Sequence, residues 1–252
     1  MQQFQQINQA DWHQIWEDAG TQNWQDKWTL DGKKATIENT QDGMNFQAGP
    51  IFGENASHAV LWSRKSFQGD IKIEYDYTRL DNETKCVNIL YLHATGSGEK
   101  PYSKDVADWA ALREVPAMKL YFQNMHTYHI SYAAYKNDNS ANKVDYIRAR
   151  RYRPDGSKNL TDTDFKPDYF DTGFFEKGVP HKITIIKKGD DLFMFIRNPE
   201  EEMLCHWNTA ALPPVNEGRI GLRHMYTRSA RYANFKVSTL KDNPDVTPLT
   251  HP

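Results

Sequence analysis

The chain has 252 residues, and its 31 basic and 33 acidic side chains leave a formal net charge of -2. That balance supplies no overall field for nucleic acid or an anionic membrane, so any anion recognition must be local. No stretch approaches the roughly 18 consecutive apolar residues of a membrane span.

Residues 1–30 carry Trp12, Trp16, Trp24 and Trp28 among polar residues. Trp12 and Trp16 fall one helical turn apart, so the segment reads as a cap with a short helix, packed over a sheet edge. It has neither the basic nor the apolar region of a secretory signal. The expected compartment is the periplasm if a leader has been removed and the cytoplasm otherwise.

From Lys34 onward the pattern is β. Short runs at 35–39 and 44–48 flank the Asp42-Gly43 turn, and 58–64 reads as a further strand. Ile71, Ile73, Tyr75 and Tyr77 alternate with Lys72, Glu74 and Asp76, as in a half-buried antiparallel strand. Residues 87–93 are apolar on both faces and read as a central strand. The Gly96–Ala117 stretch breaks the rhythm, with a short helix expected near Asp105–Leu112; long insertions between strands often carry function.

Residues 118–153 read as two strand-like runs joined by a polar turn at Asn137–Asn142. Tyr128, Ile130 and Tyr132 alternate with His129, Ser131 and Ala133, which places the two sets on opposite faces. Tyr146, Arg148, Arg150 and Tyr152 alternate with Ile147, Ala149 and Arg151. A strand face of two arginines and two tyrosines exceeds what a core requires, and this hairpin is the candidate floor of a site for a polar, anionic ligand. Residues 154–180 read as a polar connection pinned by Phe165, Tyr169, Phe170, Phe174 and Phe175. A clean hairpin follows at 181–197, then a short strand at 205–207 and two closing strands at 218–225 and 232–239. The tail beyond Leu240 is Pro-rich and is expected to be loose.

Many short strands, few helices and no repeat or linker predict one all-β domain built as a sandwich of two antiparallel sheets. Cys86 and Cys205 allow at most one disulfide and no four-thiolate zinc site, and two buried thiols fit equally well. Asp162, Asp164 and Asp168 form an oxygen-rich loop that suits either a structural calcium ion or a plain turn; no other cofactor is expected.

The segments Phe67-Gln-Gly-Asp-Ile-Lys-Ile-Glu-Tyr-Asp, His181-Lys-Ile-Thr-Ile-Ile-Lys-Lys-Gly-Asp, Gly218-Arg-Ile-Gly-Leu-Arg and Tyr232-Ala-Asn-Phe-Lys-Val occur in the order seen in concanavalin A-like lectin and glucanase jelly rolls. With His129-Ile-Ser-Tyr132, Ile147-Arg148 and Gly221-Leu-Arg-His-Met225 added, residues 60–240 resemble the YesU-like family of bacterial jelly-roll proteins, which is linked to degradation of uronic-acid polysaccharides. The resemblance implies a sugar groove on a curved sheet. It also implies a lyase or dehydratase acting by β-elimination on the uronate of an acidic oligosaccharide such as ulvan. The Glu-x-Asp-x-x-Glu pattern of jelly-roll endoglucanases is absent. A glycoside hydrolase of the same fold and a non-catalytic carbohydrate-binding module are the alternatives.

Elimination beside a uronate carboxylate needs a cation to neutralise the carboxylate, a base for the C5 proton and an acid for the departing oxygen. Arg148 suits the first role, because a guanidinium binds carboxylate bidentately. His129 suits the second and Tyr132 the third. Their opposite parity means that both reach one groove only if a bulge intervenes. His129 is otherwise a satisfied core histidine, and Arg148 a partner in a structural salt bridge. His93, Tyr128, Tyr146, Arg150, Tyr152, Arg223, His224 and Tyr226 are the candidate substrate contacts, with only one of Arg223 and His224 able to face the groove. The expected partner is an acidic oligosaccharide, neither nucleic acid nor membrane, and sequence leaves the oligomeric state open.

Overall fold

A computed structural model describes residues 1–135, 144–154 and 160–240. Helix α1 (Gln2–Asn8) precedes strands β1 (Trp12–Asp18), β2 (Trp28–Asp31), β3 (Thr36–Thr40), β4 (Gly43–Gln47), β5 (Ala59–Gln68), β6 (Ile71–Arg79) and β7 (Cys86–Gly96). A 3-10 segment at Val106–Arg113 and helix α2 (Met118–Asn124) lead to β8 (Met125–Tyr135), β9 (Asp145–Tyr152) and β10 (Asp164–Phe170). The chain closes with β11 (Pro180–Lys188), β12 (Asp191–Arg197), β13 (Glu202–Asn208), β14 (Glu217–His224) and β15 (Ser229–Leu240).

These strands form two antiparallel sheets. The eight-stranded sheet runs β13-β12-β11-β6-β15-β4-β3, with β1 also paired to β15, and the seven-stranded sheet runs β10-β9-β8-β7-β14-β5-β2. Strand alternation then sorts the side chains. Leu61, Leu90, Leu92, Ile130, Ile147 and Leu222 point between the sheets and join Ile73, Ile185 and Val237 of the other sheet in the main core. Their strand neighbours Val60, Trp62, Ile89, Tyr91 and Tyr152 point the other way. A sheet apolar on both faces needs a cover on each. The 97–124 insertion supplies the second one, packing Val106, Trp109 and Tyr121 on this outer face. That third layer explains why β7 reads as apolar on both sides.

The structure corrects several local expectations. Trp12 and Trp16 lie on a strand, not a helical turn, and a bulge between Gln14 and Trp16 sends them to opposite sides of the sheet. Trp16 meets Trp28, Phe67 and Phe235 edge to face in the main core, whereas Trp12 packs with Phe4 of α1 over the outer face of the eight-stranded sheet. Met118–Asn124 is helical rather than extended, in keeping with its Met, Lys, Leu and Gln content and its lack of β-branched residues. The polar connection at 154–180 contains β10, a sheet edge where Pro167 leaves no ladder donor missing from an interior strand. Cys86 and Cys205 are buried and unbonded. The Asn137–Asn142 turn falls outside the described residues, as does the tail after Leu240.

Candidate functional site

The outer face of the seven-stranded sheet gathers most of the polar residues that the sequence singles out. Antiparallel register sets His129 opposite Tyr91 on one side and Arg150 on the other. One row along, Ser131 faces Ile89 and Arg148, and Ile89 in turn faces Arg223. Arg223, His129, Arg148 and Arg150 therefore share one surface, with Tyr91, Tyr152 and Tyr146 between them.

Gly221 makes room for the floor of this layer. A Cβ there would lie 2.5 Å from the ring of Trp62, so only glycine lets the indole lie flat across the strand. Trp62 stacks on Tyr91 at 5.5 Å, and Tyr91 stacks on Tyr121 of the insertion at 6.1 Å. Asp31 fixes the insertion in place: its Oδ2 accepts hydrogen bonds from Trp62 Nε1, Arg113 Nε and the Tyr121 hydroxyl. Arg113 also lies over the Trp109 ring at 4.2 Å.

His129 is buried between two hydroxyls, with Nδ1 2.5 Å from the Tyr152 oxygen and Nε2 2.5 Å from Ser131 Oγ. Burial holds its pKa well below the usual imidazole range, and the charges of Arg150, Arg223 and Arg148 push it in the same direction. It is therefore neutral at pH 7. Burial raises the phenols of Tyr91 and Tyr152, so both are protonated there.

The three arginines differ in their partners. Arg148 holds Asp168 bidentately, Nε at 3.0 Å and Nη2 at 2.8 Å, which raises its own pKa and leaves the Asp168 carboxyl low despite burial. Arg150 pairs with Asp164 at 2.9 Å and also donates to Leu160 O and Thr163 Oγ1. Arg223 is fully buried, lies 4.4 Å from the Tyr121 ring centroid and donates from Nη2 to Pro116 O. Neither its Nε nor its Nη1 makes a well-formed hydrogen bond, the Tyr91 hydroxyl being the nearby acceptor, and among the described residues it makes no ion pair. Leaving each such donor unsatisfied costs about 1–3 kcal/mol. A buried cation with open donors suits a carboxylate or sulfate.

Residues 19–237 match the family described as "Domain of unknown function (DUF1961)". The chain belongs to that family. No curated protein matches this DUF1961 chain, but solved structures share its fold. A protein of unknown function with galectin-like fold from Bacillus subtilis superposes with a TM-score of 0.63 at 16% identity, covering 91% of this chain and 100% of that one. The exoplasmic/lumenal domain of VIP36, in its Ca2+/Man3GlcNAc-bound form, gives a TM-score of 0.56 at 12% identity, covering 88% of this chain and 89% of that one. Lectin I-B4 from Griffonia simplicifolia, in a metal-free form, gives 0.53 at 10% identity, covering 90% and 97%. At these identities the likeness establishes the fold, a lectin-like jelly roll of two antiparallel sheets.

The remaining sequence candidates in this DUF1961 domain lie elsewhere. Tyr128 and Tyr132 point between the sheets, where the Tyr132 hydroxyl sits 3.2 Å from that of Tyr232. The bulge needed to bring Tyr132 to the face of His129 does exist, between Ser131 and Ala134, but it falls too late in the strand. Tyr132 and Ala133 both stay in the main core, and Ala134 is the residue that returns to the outer face. His224 also points inward, bonded to Tyr232 and stacked on Phe46 at 4.3 Å, so Arg223 is the member of that pair on the outer face. His93 is buried near Lys187, with positive φ beside a register shift in β7. Tyr226 is half-buried at the rim, stacked on His58. Tyr91, Tyr121, Ser131 and the Asp31–Arg113 pair complete the site without having been singled out. Tyr91 and Ser131 share parity with named residues, but nothing local marks Tyr121 or Asp31.

The expected oxygen-rich loop is largely strand: Asp164 and Asp168 lie on β10 and turn to Arg150, Arg148 and Lys166. Among the described residues, no group of three or more His, Cys, Asp or Glu side chains is arranged to hold a metal ion.

Proposed function

We propose that this protein binds an acidic oligosaccharide at the margin of the covered outer face of its seven-stranded sheet, with a carboxylate or sulfate reaching inward to the buried Arg223. The observation that carries this reading is the buried Arg223 guanidinium, with two open donors and no ion pair among the described residues. Trp62, Tyr91 and Tyr121 stack on one another and are buried beside it, a low-dielectric setting that strengthens the attraction of the guanidinium for an anion. The Man3GlcNAc bound to VIP36 and the lectin nature of the Griffonia protein support a carbohydrate as ligand. Calorimetric titration with uronate oligosaccharides and their carboxyl-reduced counterparts tests it. The acidic forms should bind, the reduced forms should not, and Arg223→Met should lose the difference. Equal binding of both forms would remove the assignment.

A second reading adds catalysis, favoured by the placement of neutral His129 between Tyr152 and Ser131 beside three guanidinium groups. With the carboxylate on Arg223, His129 takes the C5 proton. The C5–H electron pair forms the C4–C5 double bond, and the C4–O bond breaks as Tyr152 donates its proton to the leaving oxygen. The incoming carboxylate also offsets the arginine charges that depress His129, so the base strengthens when substrate is bound. Such a carbon–oxygen lyase would cleave a chain or remove water from a terminal uronate, and ulvan oligosaccharides are the substrate that the YesU-like resemblance suggests. Mass analysis separates the outcomes, since scission with an unsaturated end and loss of water give different products. Turnover lost with binding kept in His129→Gln would support the base; products without unsaturation would exclude it. Hydrolysis is less favoured, because Asp31, Asp164 and Asp168 are each tied to an arginine.

A further inference from the structure

Among the described residues, the exposed large hydrophobic side chains include two aromatic ones, Phe52 at 50% and Phe170 at 54% exposure. They lie at opposite ends of a single row. Phe170 pairs in register with Tyr146, and their rings are 6.4 Å apart. Tyr146 faces Ala134, and the next residue, Tyr135, pairs with Cys86. The Met225 amide bonds to Val87 beside that point, so Tyr226 continues the line. Its ring stacks on His58 at 4.4 Å and meets Phe52 edge-on at 5.0 Å.

The line thus starts on β10 and β9 with Phe170 and Tyr146, crosses β8 and β7 at Ala134 and Cys86, and resumes with Tyr226 and Phe52 just beyond β14 and ahead of β5. At about 4.8 Å per strand interval the part from β10 to β14 spans about 19 Å. Tyr146 and Tyr226 both pack on the outer-face cluster that includes Tyr91 and Tyr152, so the row borders the Arg223 and His129 site. Cations sit over both ends: Arg148 lies 5.0 Å from the Tyr146 centroid and Lys85 lies 5.3 Å from that of Phe52.

We infer that this aromatic row is an extended binding rail for the sugar chain, with Phe52 and Phe170 as outer stacking subsites on either side of the acidic residue. The inference rests on the proposed binding of an acidic oligosaccharide and adds its length and direction: several sugars lie across the strands, and one acidic unit reaches inward to Arg223. Rings exposed singly at a surface need no ligand. Here each exposed ring is backed by a half-buried one, Phe170 by Tyr146 and Phe52 by Tyr226, along the edge of a cationic site.

Oligogalacturonates and hyaluronan oligosaccharides, graded from disaccharide to octasaccharide, titrated into the full chain provide the test. Affinity should rise with length. Phe52→Ala and Phe170→Ala, both at exposed positions, should each weaken the longest probes about ten-fold and change the disaccharides by less than about two-fold. Affinity that is flat with length, or that rises identically in the variants, overturns the rail while leaving the Arg223 site intact. Disaccharide binding that survives Arg223→Met overturns the site but not the rail. Failure of every probe to bind removes both.

Discussion

Arg113 Nε meets Asp31 Oδ2 at 2.5 Å, joining residues 82 positions apart across the outer face of the sheet. Both side chains are almost fully buried. Arg219 also holds Asp105 and Arg223 donates to Pro116 O, but Asp31–Arg113 is the ion pair buried beneath the insertion. Tyr121, the residue that covers Arg223, hangs from the same carboxylate.

The two partners should therefore be coupled, so that removing both costs less than the two single losses added together. Arg113→Met or Asp31→Asn leaves a buried group unsatisfied and is expected to destabilise the fold by about 3–5 kcal/mol. The double substitution to apolar residues still leaves the Trp62 indole and the Tyr121 hydroxyl without their acceptor, so its loss should be smaller than the sum of the two single losses rather than small. Urea midpoints of the two single variants and the double variant give the comparison; strictly additive losses would mean that the pair is not the anchor.

Arg223 behaves in the opposite way. Arg223→Met removes a buried charge with two open donors, so the denaturation midpoint should stay constant or rise. Binding of an acidic ligand should fall about 100-fold or more, because an anion would enter the buried site without its cation. A large drop in stability would show that Arg223 is structural.

Arg148 separates from Arg223 in the same assays. Its ion pair with Asp168 is partly exposed, at 23% for the arginine side chain, so Arg148→Met should cost about 1 kcal/mol or less after solvent screening. Its effect on ligand affinity should be several-fold smaller than that of Arg223→Met. The reverse ranking, measured by titration calorimetry, would return the anion-binding role to Arg148.

Acid should weaken the fold through its buried histidines. Burial depresses His58, His93 and His224 to about 3 and His181 to about 4. These folded values lie below the unfolded value of about 6.5. The unfolded chain then binds more protons below that pH, so the stabilisation is complete above about 6.5 and is lost as pH falls towards 4 and 3. Each histidine contributes a slope of about 1.4 kcal/mol per pH unit, or up to about 2 kcal/mol by pH 5. Urea midpoints between pH 7.5 and 5 should fall steeply, and less steeply in His181→Phe; a flat profile would mean that these rings are solvated.

Much of this protein was legible in its sequence. Alternation in residues 71–77, 128–133 and 146–152 foretold two antiparallel sheets, and it placed His129 apart from Tyr132 and Arg223 apart from His224. These inferences hold because the two-residue period of a strand is a local property, fixed by backbone geometry. Trp12 and Trp16 were misread for a related reason: a spacing of four fits a helical turn, and a single bulge re-aims one ring.

Only the tertiary structure decided which arginine is available. Arg148 and Arg223 look alike as strand cations, but Asp168 reaches the first from a neighbouring edge strand, and no carboxylate reaches the second among the described residues. The covering of the outer face was equally hidden, since Tyr121 arrives on a short helix and Asp31 from a distant strand. Alternation assigns a side chain to a face. Its charge partner and its cover come from residues far away in the chain, and those are fixed only when the sheets and the insertion pack together.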